Sequence, residues 1–476
     1  MKKLLVRWER YIKESGKTLK ASGDGTIITE RLKKRQLLRA TPGQVLLLGF
    51  AAIILTGAVL LTLPAAVKPG GEINFLNSLF TATSAVCVTG LIVVDTATHW
   101  TLFGQIVILS LIQVGGLGFM TMGTFFAVLL GRQIGLRQRL IIQESLNQTD
   151  VAGIVRLTRY VLLFTLITEF IFGLILAARW SVELGWQKGL WFGLFHSISA
   201  FNNAGFDIFG GFRSLTMYTE DLCVTLCIST AIILGGLGFA VNVDLLQYFR
   251  GAKKRFSLHT KLVLFTTAFL IAAGTVMFFF LEYDNTLQNL SPAGKVMASY
   301  FQAVSPRTAG FNTLDIGALH SATQFFVIIL MFIGASPGST GGGIKTTTFA
   351  SLLVYLCSMV RGKRDFDVFN RRLGQELINK AVTILLLCSA LVVSVSLLLS
   401  ITERADFLSI LFETTSAFAT VGLTMGLTTK LSAAGKVVLI LTMYLGRLGP
   451  LTVAFAMARQ KRKTLLHYPE EKINVG

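Results

Sequence analysis

Four ten-residue strings carry the pattern most able to do chemistry. Residues 82–91 read ATSAVCVTGL, 197–206 SISAFNNAGF, 302–311 QAVSPRTAGF and 414–423 TTSAFATVGL. Each ends in a Gly (Gly90, Gly205, Gly310, Gly422) followed by a large apolar residue, with Ala or Ser five positions before the Gly. Each also follows a mixed apolar stretch of about a dozen residues, too short to cross a bilayer and long enough for a re-entrant helix. A Gly after such a helix permits backbone angles that turn carbonyl oxygens toward a common axis. Rings of carbonyls can replace the hydration shell of a cation, and the partly negative C-terminal ends of four short helices favour the same charge. Glycines also serve close helix packing in membranes, but packing does not require a short helix before each of them.

A second motif follows each string. Gly115–Phe119 (GGLGF) recurs unchanged at Gly235–Phe239, and the fourth copy is Gly446–Pro450 (GRLGP). In the third copy Gly334–Thr348 (GASPGSTGGGIKTTT) stands in its place. That stretch is not a phosphate-binding loop, because Ile344 separates Gly343 from Lys345 and the motif needs Lys directly after its last Gly. Pro337 with Gly334, Gly338, Gly341, Gly342 and Gly343 cannot stay helical, so the helix is expected to break in mid-membrane. Arg447 takes the place of Gly116 and Gly236. A buried intramembrane Arg needs a partner, and carbonyls of the Gly334–Thr348 loop are the expected ones, the contact holding a pore shut. Snorkelling to the interface is its alternative. Arg307 and Glu413 are expected to pair as a brace behind the ring. Glu169, in mid-run, has no evident partner. His196, His320 and the five Cys lack metal-ligand spacing and read as structural.

The elements that must position these residues follow from composition. Of 476 residues, 53% are hydrophobic and 14% charged, and the mean hydropathy is +0.65. A soluble domain carries about 25% charged residues, so the chain reads as one polytopic membrane domain. Long apolar runs lie near 43–63, 102–130, 157–178, 219–248, 259–281, 321–359, 377–401 and 434–457. The expected fold is an all-α integral membrane protein of eight transmembrane helices and four re-entrant pore helices, in four pseudo-symmetric helix–pore loop–helix repeats. The repeats occupy 42–130, 131–248, 249–360 (with the intramembrane loop) and 361–459, between basic tails at 1–41 and 460–476. The net charge of +19 is spread over alternate loops rather than gathered in one basic domain, which argues against nucleic acid. Arg132/Arg137/Arg139, Arg250/Lys253/Lys254/Arg255, Arg361/Lys363/Arg364/Arg371/Arg372 and Arg459/Lys461/Arg462/Lys463 all flank one side. By the positive-inside rule that side and both termini are cytoplasmic, in a multi-pass protein of the cell membrane. No cleaved signal is evident.

On the four filter glycines, the RTAGFN string at 307–312, the glycine-rich third repeat and Arg447, the chain resembles the Trk/Ktr/HKT superfamily of potassium transporters over about residues 42–459. The lack of an extra N-terminal hydrophobic pair makes it most similar to the Ktr-type membrane subunit. The resemblance implies potassium coordination by carbonyls of Val88, Thr89 and Gly90; Asn203, Ala204 and Gly205; Thr308, Ala309 and Gly310; and Thr420, Val421 and Gly422. Members with Ser at the first filter Gly favour sodium, so Gly90 implies potassium, with sodium as a further permeating or coupled ion. It implies gating by the loop that holds Gly334, Pro337, Gly338, Gly341, Gly342, Gly343 and Lys345. It also implies a homodimer on a cytosolic ring of nucleotide-binding regulatory subunits, with no prosthetic group. Cys87, Asn202, Arg307 and Ala419 differ at one aligned position, which makes the filter only approximately fourfold. A sodium-coupled secondary transporter with discontinuous helices is the alternative, though such a core usually divides into two halves. An intramembrane enzyme is more remote, since no constellation of acids, Ser–His pair or metal ligands is apparent.

Overall fold

The computed structural model describes residues 42–118, 154–363 and 365–449. The two expected tails, the far end of the 102–130 run, Arg132, Arg137, Arg139, Arg364 and the cluster from Arg459 onward lie outside the described residues. Within them the chain is helical, with one two-stranded hairpin.

Apart from a single helical turn at Thr96–His99, the first three helices are α1 (Pro42–Thr62), α2 (Phe75–Cys87) and α3 (Leu102–Leu117). The next four are α4 (Ile154–Leu184), α5 (Trp186–Phe201), α6 (Leu222–Gly236) and α7 (Phe239–Phe249). They are followed by α8 (Leu258–Leu281), α9 (Pro292–Val304), α10 (Ser321–Phe332) and α11 (Thr346–Val360). A hairpin of β1 (Asp367–Val368) and β2 (Arg371–Arg372) leads to α12 (Gln375–Thr402), α13 (Phe407–Ala419) and α14 (Ala433–Leu448).

Four of these helices, those in α1, α4, α8 and α12, are long and apolar enough to cross a membrane alone. Each opens one of the repeats. A short helix follows in each case: α2, α5, α9 and α13. Asn74, Ser291 and Asp406 cap three of them with side-chain acceptors, satisfying free amides that would be costly at a helix start.

In two repeats the third member is seen to break, unexpectedly in repeat two and as expected in repeat three. In repeat two the apolar run at 219–248 is not one rod, because α6 and α7 meet at 104°. Gly238 makes the corner at φ 93°, a value side-chain-bearing residues rarely adopt. In repeat three the run at 321–359 is interrupted between α10 and α11, as Pro337 and the glycines require.

The repeats form a closed cycle. The third member of each packs on the short helix of the next: α3 on α5, α6 on α9, α10 on α13 and α14 on α2. Within three repeats the paired-Gly motif explains itself. A Cβ at Gly115, Gly235 or Gly446 would strike the carbonyl of Val86, Phe201 or Phe418, four residues before the filter Gly of the same repeat.

Candidate functional site

The short helices deliver their C-terminal ends to one place. Beyond each, the residue two positions before the filter Gly turns left-handed: Val88 at φ 57°, Asn203 at 59°, Thr308 at 77° and Thr420 at 52°. The glycines follow at 89°, 68°, 78° and 94°. All twelve residues of the four triplets are buried.

The glycines form a ring. A methyl group on Gly90 would strike the carbonyl oxygen of Ala204, one on Gly205 that of Ala309, one on Gly310 that of Val421 and one on Gly422 that of Thr89. The contacts run from repeat one to two, three, four and back to one. The closure brings the carbonyls of Thr89, Ala204, Ala309 and Val421 around a shared axis. Hydroxyls from the short helices fix the ring from behind. Ser84 and Ser416 each accept the amide of their own filter Gly at 3.1 Å. Ser199 donates to the Phe206 carbonyl at 2.8 Å, and Ser305 donates to that of Phe311. Four backbone amides, those of Thr89, Ala204, Ala309 and Val421, are also held by serine carbonyls.

The Gly334–Thr348 loop lies directly against this ring. A Cβ on Gly341 would meet the Thr308 hydroxyl and one on Gly342 the Thr420 hydroxyl. The loop is tied to repeat two, where the Ser336 amide donates to Gly236 O at 3.0 Å and Gly338 O accepts the Phe239 amide at 2.9 Å. Lys345 folds back on it, with Nζ donating to Gly341 O at 2.7 Å and Gly342 O at 3.3 Å. Arg447 completes the arrangement. Its Nη1 donates to Thr340 O of the loop, and Nη2 donates to Gly115 O at 2.5 Å and Gly116 O at 3.2 Å. The guanidinium therefore joins the loop to the end of α3 instead of reaching for the interface.

The expected Arg307–Glu413 brace does not form. Glu413 is fully buried and accepts the hydroxyls of Thr424 and Thr428, the latter at 2.7 Å. Arg307 donates to the Thr267 hydroxyl at 3.3 Å, leaving Nε without a partner. Both groups bond inside their own repeats, Glu413 to two hydroxyls and Arg307 to one.

Glu169 has partners that sequence reading missed. Asn202, the residue before the second triplet, donates to Glu169 Oε1 at 2.9 Å and to Gln113 Oε1 at 3.0 Å, and Gln113 donates to Glu169 Oε2 at 3.2 Å. The signal was available in Asn202 being polar where Cys87 and Ala419 are not. His196 is structural: it lies among Trp180, Phe192 and Phe209 and bonds the Phe192 carbonyl through Nδ1 at 2.8 Å. No group of three or more potential metal ligands occurs among the described residues.

Comparison with known proteins agrees with this architecture. A family model described as "TrkH: Cation transport protein" matches residues 45–464. The Ktr system potassium uptake protein B of Bacillus subtilis (strain 168) is 46% identical, covering 92% of this chain and 98% of that protein. The protein of the same name from Vibrio alginolyticus is 41% identical, over 93% and 97%. The potassium/sodium uptake protein NtpJ of Enterococcus hirae is 39% identical, over 94% and 99%. The crystal structure of the potassium transporter TrkH from Vibrio parahaemolyticus shares the fold, with TM-score 0.68 at 19% identity over 86% of this chain and 84% of that one. A helical chain with a ring of four glycines and this breadth of similarity belongs to the TrkH family of cation transport proteins, whose work is transport and not catalysis.

Proposed function

We propose that the chain takes up potassium across the cell membrane through one gated pore, selected by the ring of Gly90, Gly205, Gly310 and Gly422. The observation that carries this reading is the closed cycle of glycine-to-carbonyl contacts, which gathers backbone oxygens from four repeats at one axis. Oxygens held in this way replace water around a cation that has lost its hydration shell. The names of the relatives, potassium uptake proteins in three cases, support potassium as the cargo. One of those names adds sodium, and sodium is a second ion for the same path.

The gate is the Gly334–Thr348 loop. It blocks the path beneath the ring and is held there by Lys345 and Arg447, whose charges also repel a passing cation. Eight crossings and four re-entrant helices are the membrane arrangement proposed, with the basic loops and both termini in the cytoplasm. The relatives are named as parts of a "Ktr system", which supports a partner subunit. A homodimer on a cytosolic, nucleotide-binding ring fits the basic face.

The test is ion flux into proteoliposomes of purified protein. Potassium uptake should exceed sodium uptake severalfold, and Gly90→Ser should narrow that ratio. Equal fluxes of the two ions in the unsubstituted protein would refute a potassium filter.

A further inference from the structure

The hairpin between α11 and α12 has a turn that its own backbone does not explain. Its two-residue turn, Phe369–Asn370, follows pairing of Val368 with Arg371 and Asp367 with Arg372. Both turn residues are left-handed, at φ 49° and 58°, the geometry that favours Asn-Gly. Asn370 fits it. A large aromatic residue at positive φ is strained, so what the ring of Phe369 meets bears on why it stands there. It is 45% exposed and its one aromatic neighbour among the described residues is Phe265 at 6.2 Å.

Phe265 fixes the depth of that contact. It lies seven residues into α8, on its outer surface, and is 64% exposed. At 1.5 Å per residue it stands about 10 Å from the helix start. The 24 residues of α8 span about 36 Å, against about 30 Å of hydrocarbon. With about 3 Å of α8 beyond the hydrocarbon at each end, Phe265 lies about 7 Å inside it, and Phe369 beside it reaches the upper acyl chains. The hairpin is held there firmly, since Phe366, Leu373 and Ile378 are buried against Leu258, Val354 and Tyr355.

A cleft of about 190 Å³ opens beside it. Its apolar floor is Leu353, Val354 and Cys357 of α11, and Ser358, Arg361, Lys363 and the carboxylate of Asp367 also line it; Asp367 is shared with an adjoining recess that holds Phe369, Arg371 and Arg372. The floor continues into an outward apolar face, with Leu356 58% and Val360 80% exposed. Arg361, Lys363 and Arg371 are exposed and have no ion-pair partner among the described residues. Only Arg372 is paired, with Asp365 at 2.8 Å.

We propose that this hairpin and cleft bind an anionic phospholipid of the adjacent leaflet. Arg361 and Lys363 take the phosphate, Arg371 in the adjoining recess outweighs the charge of Asp367 between them, and the cleft floor and Phe369 take the upper acyl chain. Charge complementarity and continuity with the lipid-facing surface select this occupant over a soluble acidic partner, which would leave Val360, Phe265 and Phe369 uncovered. The inference does not depend on which ion the pore conducts.

The test is native mass spectrometry of the full chain in detergent with phosphatidylglycerol or phosphatidylcholine of matched acyl chains. Phosphatidylglycerol should be retained at least about fivefold better, and about 0.5 M salt should reduce that preference as exposed charges are screened. The triple substitution Arg361→Ala, Lys363→Ala, Arg371→Ala should abolish it. Phe369→Ser, at an exposed tip, should weaken retention with the charge unchanged and the core untouched. Equal retention of the two lipids, or a preference insensitive to both salt and the triple substitution, would overturn the proposal. So would displacement of the lipid by inorganic phosphate alone, or a triple variant that keeps the lipid while losing a soluble partner.

Discussion

A buried carboxylate surrounded only by amide donors makes a strict demand on its neighbours. Glu169 is 4% exposed and accepts from both Asn202 and Gln113, while Gln113 itself accepts from Asn202. The triangle closes because one of its three members has two acceptor oxygens and no donor. Glu169→Gln leaves either a donor facing a donor or an acceptor facing an acceptor in every amide orientation, at a cost of about 1–3 kcal/mol. Gln113→Glu in that background restores the triangle with the acid moved to the other corner. Thermal unfolding in detergent should show Glu169→Gln lowering the melting temperature and the double substitution recovering most of the loss. Additive losses would show that the triangle is not the reason for the acid. Asn202 precedes Asn203 of the ring, so the single variant should also change the potassium-to-sodium flux ratio. Arg447 acts at the same scale on the other side of the ring. Arg447→Ala removes the bond from α14 to Thr340 O, and basal potassium flux per protein should rise severalfold. Unchanged flux at equal reconstitution would remove the gating role from Arg447.

At the scale of elements, the loop is held in place by a helix corner as much as by charges. The α6–α7 bend puts Gly238 under Pro337, and a Cβ at Gly238 would press into the Pro337 carbonyl at 2.5 Å. Gly238→Ala meets that contact and an unfavourable φ of 93° together, so the loop should lift from its seat. The expected readout is increased basal flux; flux unchanged from the parent would mean that the corner does not seat the loop. This bend shows where sequence reading stops. The break after α10 was legible, since Pro337 and a run of glycines leave no helical alternative. The bend after α6 was not, because GGLGF reads the same in repeats one and two and its apolar run continues unbroken. Only the seat offered by a loop distant in sequence shows why the chain turns there. The Arg307–Glu413 brace failed for a related reason. Membership of adjacent pore segments says nothing of the direction each side chain takes around its helix, and Thr424, Thr428 and Thr267 lay nearer. The four strings were legible because a short apolar stretch and a Gly followed by a large apolar residue recur four times in order.

For the whole molecule, the cycle closes within one chain. The contact from Gly422 to Thr89 and the packing of α14 on α2 join the last repeat to the first, so no second copy is needed to complete the ring. This distinguishes the chain from pores built by assembling identical subunits around a shared axis, where one defective copy spoils the common filter. On the function proposed above, two associated chains would each keep a path of their own. Mixing unsubstituted protein with Gly310→Ala protein tests this directly. The substitution places a methyl group against the Val421 carbonyl at a φ of 78°, so variant chains should be inactive while remaining able to pair. Co-expressed at known ratios and reconstituted together, the two should give potassium flux proportional to the fraction of unsubstituted chains. A flux that falls as the square of that fraction would mean that both members of a pair must be intact, and the ring would no longer account for the whole pore.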